Sequence, residues 1–171
     1  MTRLYKYVGP NDIRFSVAGF PSGTRIKSVS DIEGWIDETR QQPDAYRLIA
    51  ATFIVDFEGY LRIAERHSEH VACAGGEAVL SAGEIFFVHG KQGLEVAEIS
   101  NQSTGFCPEP ESWISVAKAL EQIPLSHPGR FTTEFMFRRC PACIQLNLVK
   151  ENQFFCAVCN TDLPTIWNCD N

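Results

Sequence analysis

The chain has 171 residues, 44% of them apolar and 21% charged, a size for one ordinary domain with its own core and a composition that excludes extensive disorder. Net charge is −6, and residues 51–130 hold eleven acids against five bases (Arg62, Arg66, Lys91, Lys118, Arg130); nucleic-acid binding leans on Lys and Arg neutralising phosphates, so duplex binding is not expected. No stretch approaches the roughly 18 uninterrupted apolar residues of a membrane span, and Met1 to Tyr7 offers no apolar run for a secretory leader, so the expected setting is cytoplasmic, away from membranes.

In chain order, Asp12 to Val17 is short and mixed and reads as a strand, followed by a turn at Gly19-Phe-Pro-Ser-Gly23. Ser30-Asp-Ile-Glu33 has the form of a capping box, and Ile32, Trp35 and Ile36 fall on one helical face that Pro43 should end. Arg47 to Asp56 is an apolar run bounded by turn residues, the form of a strand buried on both faces. Glu58-Gly59 turns it into Tyr60–Ile63, giving a hairpin, and Glu84–Val88 with Leu94–Ile99 gives a second one across Gly90–Gly93. Between the hairpins, Arg66 to Gly76 reads as a polar connector. After Ile99, Ser100-Asn-Gln-Ser-Thr-Gly105 is nearly free of apolar residues and leads through Pro108 into a helix with Trp113, Val116, Ala117 and Leu120 on one stripe. Phe131 to Arg138 alternates as a last strand. This order predicts an α+β fold: a mainly antiparallel sheet, two or three helices, an α+β domain over 1–138 and a metal module over 139–171.

Seven cysteines without a leader, odd in number, with four in two C-x-x-C pairs, argue for a metal rather than for disulfides. Cys140-Pro-Ala-Cys143 and Cys156-Ala-Val-Cys159 are separated by twelve residues. Each pair can form one tight knuckle, and two knuckles complete the tetrahedron that Zn²⁺ prefers. Glu151-Asn152 should turn Leu146–Val149 into Gln153–Phe155 as a hairpin. The stretch over about 140–167 resembles the zinc-ribbon family. That resemblance implies one structural zinc on Cys140, Cys143, Cys156 and Cys159. Ribbons of this kind carry glycine just after the second cysteine of a knuckle; here Ile144 and Asn160 stand there, and the β-branched Ile144 should make the first knuckle less regular.

Other constellations are candidates for chemistry. His67, Glu69, His70 and Cys73 crowd into one loop; His67-Ser-Glu69 matches the H-x-E of zinc deaminases, Cys73 is a candidate nucleophile beside a histidine, and His67, His70 and Cys73 at i, i+3, i+6 are candidate ligands of a second metal. Asn101, Gln102, Ser103 and Thr104 lie in a loop between strand and helix, where binding residues concentrate. Residues 82–123 are similar to a module of bacterial toxin- and immunity-type proteins, which implies a binding role in a bacterial conflict system. Cys107 and Cys169 have no partner that the sequence identifies. The expected function is a zinc-bearing interaction module with a protein partner. The alternatives are an enzyme built on the His67–Cys73 loop, and single-stranded nucleic-acid binding by the ribbon through Phe154, Arg138, Arg139 and Lys150.

Overall fold

The computed structural model describes residues 2–170. Its centre is a five-stranded antiparallel sheet in the order β1-β3-β2-β4-β5, with β1 at Thr24–Ile26, β2 at Ile49–Asp56, β3 at Leu61–Glu65, β4 at Val79–Gly90 and β5 at Gly93–Ile99. The helices are α1 (Asn11–Val17), α2 (Val29–Glu38), α3 (His70–Cys73) and α4 (Trp113–Glu121), the last entered through a 3₁₀ turn at Pro110–Ser112. A separate two-stranded sheet pairs β6 (Met136–Arg139) with β7 (Leu146–Val149). The fold is α+β.

The central strand β2 follows directly from its apolar run. Side chains alternate across a strand, so Ile49, Ala51, Phe53 and Val55 enter the core beneath α2 and α4, while Ile54 enters a second core on the opposite face. That second core joins Tyr5, Val71, Cys73, Phe106, Cys107, Phe137, Trp167 and Cys169. The β2–β3 turn is held by the buried Asp56 carboxylate, which accepts from the Glu58 and Tyr60 amides and from the Arg25 and Arg62 guanidiniums. The outer edge of β5 is covered: Val96 N–H donates to Ser126 O, and Thr132 N–H to Ile99 O. This leaves little of that edge open to another chain.

Several local expectations change. Residues 11–17 form a helix, not a strand; Pro10 precedes its first turn, Ile13 and Phe15 are exposed, and Val17 alone of its apolar residues packs on the second core. The capping box lies two residues earlier than Ser30: Ser28 Oγ accepts from Asp31 N–H, and the Asp31 carboxylate accepts from Ser28 N–H. Helix α2 stops before Pro43, because Arg40 takes φ 55° and Gln41 N–H returns to Ile36 O. The expected strand 131–138 is reduced to β6; Phe131–Phe135 instead runs along the end of β5, tied by Thr132 and Asn101. Leu146–Val149 pairs with β6 rather than with Gln153–Phe155, although Glu151 and Asn152 do make a tight turn, both at positive φ. The junction between residues 138 and 139 falls inside β6.

Candidate metal centre and the other candidate residues

Each C-x-x-C pair is built by the same local closure. Ile144 N–H donates to Cys140 O at 3.0 Å, and Asn160 N–H to Cys156 O at 2.9 Å. The residues after each pair sit at φ 66° and 60°. Ile144 therefore adopts the left-handed conformation that suits glycine or asparagine, and the first knuckle is as regular as the second. The sulfurs of Cys140, Cys143, Cys156 and Cys159 all lie within 4.8 Å of one another, with Cys140–Cys159 at 3.5 Å and Cys143–Cys156 at 3.6 Å. A tetrahedron with metal–sulfur bonds of about 2.3 Å has sulfur–sulfur edges of about 3.8 Å, so the set fits one such ion.

The surroundings also suit thiolates. Cys143 N–H and Val158 N–H point at the sulfurs of Cys140 and Cys156, and the Asn147 side-chain amide donates to Cys156 Sγ at 3.5 Å. Asn147 is itself buried and fixed by accepting from Ala157 N–H, so it links the two knuckles. Burial opposes ionisation of Cys156, but the Cys159 and Val158 amides and Asn147 bring its thiol down to about 6. Cys143 is held at about 12: the Gln145 amide favours its thiolate, yet burial and the three neighbouring sulfurs disfavour another negative charge. Four sulfurs so close ionise together only around a cation. The four cysteines are positioned to hold a metal ion.

Among the described residues, those of the His67–Cys73 loop are not gathered into a second metal-binding cluster. His67 and Glu69 are exposed, and His67 is not among the groups gathered around the four sulfurs, which leaves the H-x-E of a deaminase without its metal. His70 is half-buried at the start of α3, its imidazole turned inward with Nε2 2.9 Å from Gly83 O; burial lowers its pKa and keeps the ring neutral. Cys73 is fully buried, its thiol directed at Arg62 O, and burial pushes it up to about 12. A thiol with that pKa is not a nucleophile near neutral pH. The segment read as a polar connector thus contains a short helix that plugs Val71 and Cys73 into the second core.

The Ser100–Gly105 loop is likewise consumed by the fold. Asn101 is fully buried; its amide donates at 2.8 Å to both Pro108 O and Phe135 O, and its carbonyl accepts from Phe135 N–H. Ser103 is buried and caps Phe106 N–H. Gln102 and Thr104 face solvent. The loop packs so closely on β4 that a Cβ at Gly83 would lie 1.8 Å from Ser100 O.

One concavity has no counterpart in the sequence reading. A cavity of about 530 Å³ lies between the N-terminal segment, the start of α4 and the C-terminal segment, with Arg3, Tyr5, Glu109, Lys118 and Trp167 in its wall. Arg3 stacks over the Trp167 ring at 4.5 Å. These residues come from three distant stretches, and no local motif marks them. Among the described residues, no helix is long and apolar enough to cross a membrane. No protein-family model matches the chain, nor does any curated protein or solved structure, so the likeness of residues 82–123 to toxin- and immunity-type proteins gains no support from them.

Proposed function

We propose that this protein is a non-catalytic binding module in which one structural zinc ion, held by Cys140, Cys143, Cys156 and Cys159, shapes a ribbon tip that docks on a protein partner. Zinc is the natural occupant of a closed four-thiolate tetrahedron, and such a site keeps no open position for water or substrate.

The observation that carries the docking reading is Ile144. It holds a β-branched side chain at φ 66° while 59% exposed. An L-residue in that conformation costs about 1–2 kcal/mol, and glycine would remove the cost. Retained strain at an exposed apolar residue marks a site kept for contact. Val158, 69% exposed, precedes Cys159 while Ile144 follows Cys143, so each is one residue from a cysteine of the same cluster, whose sulfurs lie within 4.8 Å. Phe155 is also exposed.

The rival readings have less to act with, Lys150 and the half-buried Phe154 being what is left to a nucleic-acid strand. An enzyme on the His67–Cys73 loop has a buried thiol of raised pKa and an inward-facing neutral imidazole. For single-stranded nucleic acid, Arg138 is spent in a buried pair with Glu109 at 2.7 Å, and the Arg139 guanidinium donates to Ile144 O. The toxin/immunity likeness turns on a motif whose Asn101 and Ser103 serve the fold, and it gives the partner no identity.

The test compares wild-type protein with Ile144→Gly/Val158→Asn in capture from the native host, both loaded with zinc. The variant should keep its metal and its stability while losing the wild-type partner at least tenfold. Equal recovery of the same partner by both proteins would overturn the docking reading.

A further inference from the structure

The cavity between the N-terminal segment, α4 and the C-terminal segment lies apart from the four cysteines. Its volume of about 530 Å³ falls within the range of small-ligand sites, roughly 300–1,000 Å³. Leu80, Ile114, Ile166 and the rings of Tyr5 and Trp167 give it an apolar lining. The two rings are buried and meet edge to face at 5.5 Å, and Trp167 Nε1–H donates to Cys107 O at 2.8 Å, so this part of the wall is held in place. Glu111, Ile114 and Lys118 stand at i, i+3 and i+7 along the 3₁₀ turn and α4, and they border the cavity from one side.

The polar groups of the wall divide into those the fold uses and those it leaves over. Both Glu109 carboxylate oxygens accept from Arg138, Thr165 O accepts from the same guanidinium, and the Ser112 hydroxyl bonds that of Ser81. What is left over is mainly donors. The Tyr5 hydroxyl accepts from Glu109 N–H, and its own proton has no acceptor among the described residues. Arg3 and Lys118 form no ion pair among the described residues. Glu111, whose carboxylate is also unpaired there, lies two turns from Lys118, about 10 Å along the helix axis.

Arg3 is held in a way that suits an oxyanion. Its guanidinium lies over the Trp167 ring at 4.5 Å. A stacked guanidinium spends its face on the ring and keeps its in-plane N–H groups free, in the fork that grips a carboxylate. We infer that this cavity binds a small organic acid with a flat apolar body. The carboxylate is taken by Arg3, with Lys118 and the Tyr5 hydroxyl as further donors, and the body lies against Leu80, Ile114 and Trp167. A cationic ligand of the same shape is repelled by Arg3 and Lys118, and a neutral one forgoes their charge. The site is independent of the exposed ribbon residues Ile144 and Val158, so it stands or falls apart from the docking reading.

The experiment titrates the zinc-loaded full chain by calorimetry with three probes of similar shape: 1-naphthylacetate, its neutral amide and 2-(1-naphthyl)ethylamine. The acid should saturate a single site at about 1 mM or below, a modest demand on a ligand of ~14 non-hydrogen atoms. The amide and the amine should bind at least about tenfold more weakly. Arg3 and Lys118 are exposed, so Arg3→Gln and Lys118→Gln should keep the wild-type urea midpoint and zinc content. Arg3→Gln should weaken the acid about tenfold, and Lys118→Gln about threefold. No saturable heat from the acid up to about 10 mM, equal binding of the amide or the amine, or undiminished affinity in both variants would each refute the inference.

Discussion

Asn101→Ala separates a ligand-presenting loop from a structural one. In the fold this buried side chain makes three hydrogen bonds, to Pro108 O, Phe135 O and Phe135 N–H, the first fully buried and the others partly. A net hydrogen bond is worth about 1 kcal/mol, and a buried donor left unpaired, here the Phe135 amide, adds about 1–3 kcal/mol. Three such bonds and the unpaired amide together give an expected loss of about 4–6 kcal/mol. Urea unfolding followed by tryptophan fluorescence reads it as a lowered midpoint with little change in slope. Gln102→Ala and Thr104→Ala, both exposed, should stay within about 0.5 kcal/mol of wild type. A loss below about 1 kcal/mol for Asn101→Ala would refute the reasoning, because the amide would then be dispensable to the fold.

His70 should make stability depend on pH. Its pKa is lowered in the folded state, so below the unfolded value of about 6.5 the unfolded chain binds a proton that the folded one refuses. Stability then falls with acidification, by up to about 1.4 kcal/mol per pH unit, from pH ~6.5 down to the lowered value. Urea unfolding at pH 7.5, 6.5 and 5.5 should show His70→Asn with a shallower loss than wild type; parallel curves would contradict the buried neutral ring. Gly83→Ala should prevent Ser100 O from seating on β4, since the new Cβ would lie 1.8 Å from it, and the variant should unfold at a clearly lower urea midpoint. An unchanged midpoint would mean that the loop is not docked there.

What the sequence revealed depended on how local the signal was. The C-x-x-C pairs are local, and their spacing pointed to the four sulfurs that lie together; the resemblance gave the positive φ after each pair, but Ile144 adopts it as regularly as Asn160 instead of disturbing the first knuckle. The apolar run of β2 was equally readable, because burial on both faces leaves only Thr52 and the terminal Asp56 as polar residues in it. Helix α1 was misread since a short surface helix needs no apolar stripe, and a segment so short and mixed carries no period to tell helix from strand. The His67–Cys73 and Ser100–Gly105 loops looked functional because polar, histidine and cysteine side chains cluster there. Their roles are set by Gly83, Arg62, Pro108 and Phe135, partners that no spacing rule brings near. The cavity around Trp167 was invisible for the same reason. Phe137, Leu146, Trp167 and Cys169, from within and after the four-cysteine segment, pack with Tyr5 and Phe106, contacts that no local pattern announces.

The most direct test of the central claim is metal content measured together with thiol reactivity. Protein purified without added metal should carry about one zinc per chain, and cobalt in its place should absorb as a tetrahedral four-thiolate centre. Cys143→Ser or Cys156→Ser should abolish that spectrum and lower the stability of the ribbon, since binding of this kind contributes on the order of 10 kcal/mol to small metal-organised folds. Protein that folds with no bound metal, and whose exposed Cys143 and Cys159 react with a thiol reagent as fast as in an unfolded chain, would contradict the account.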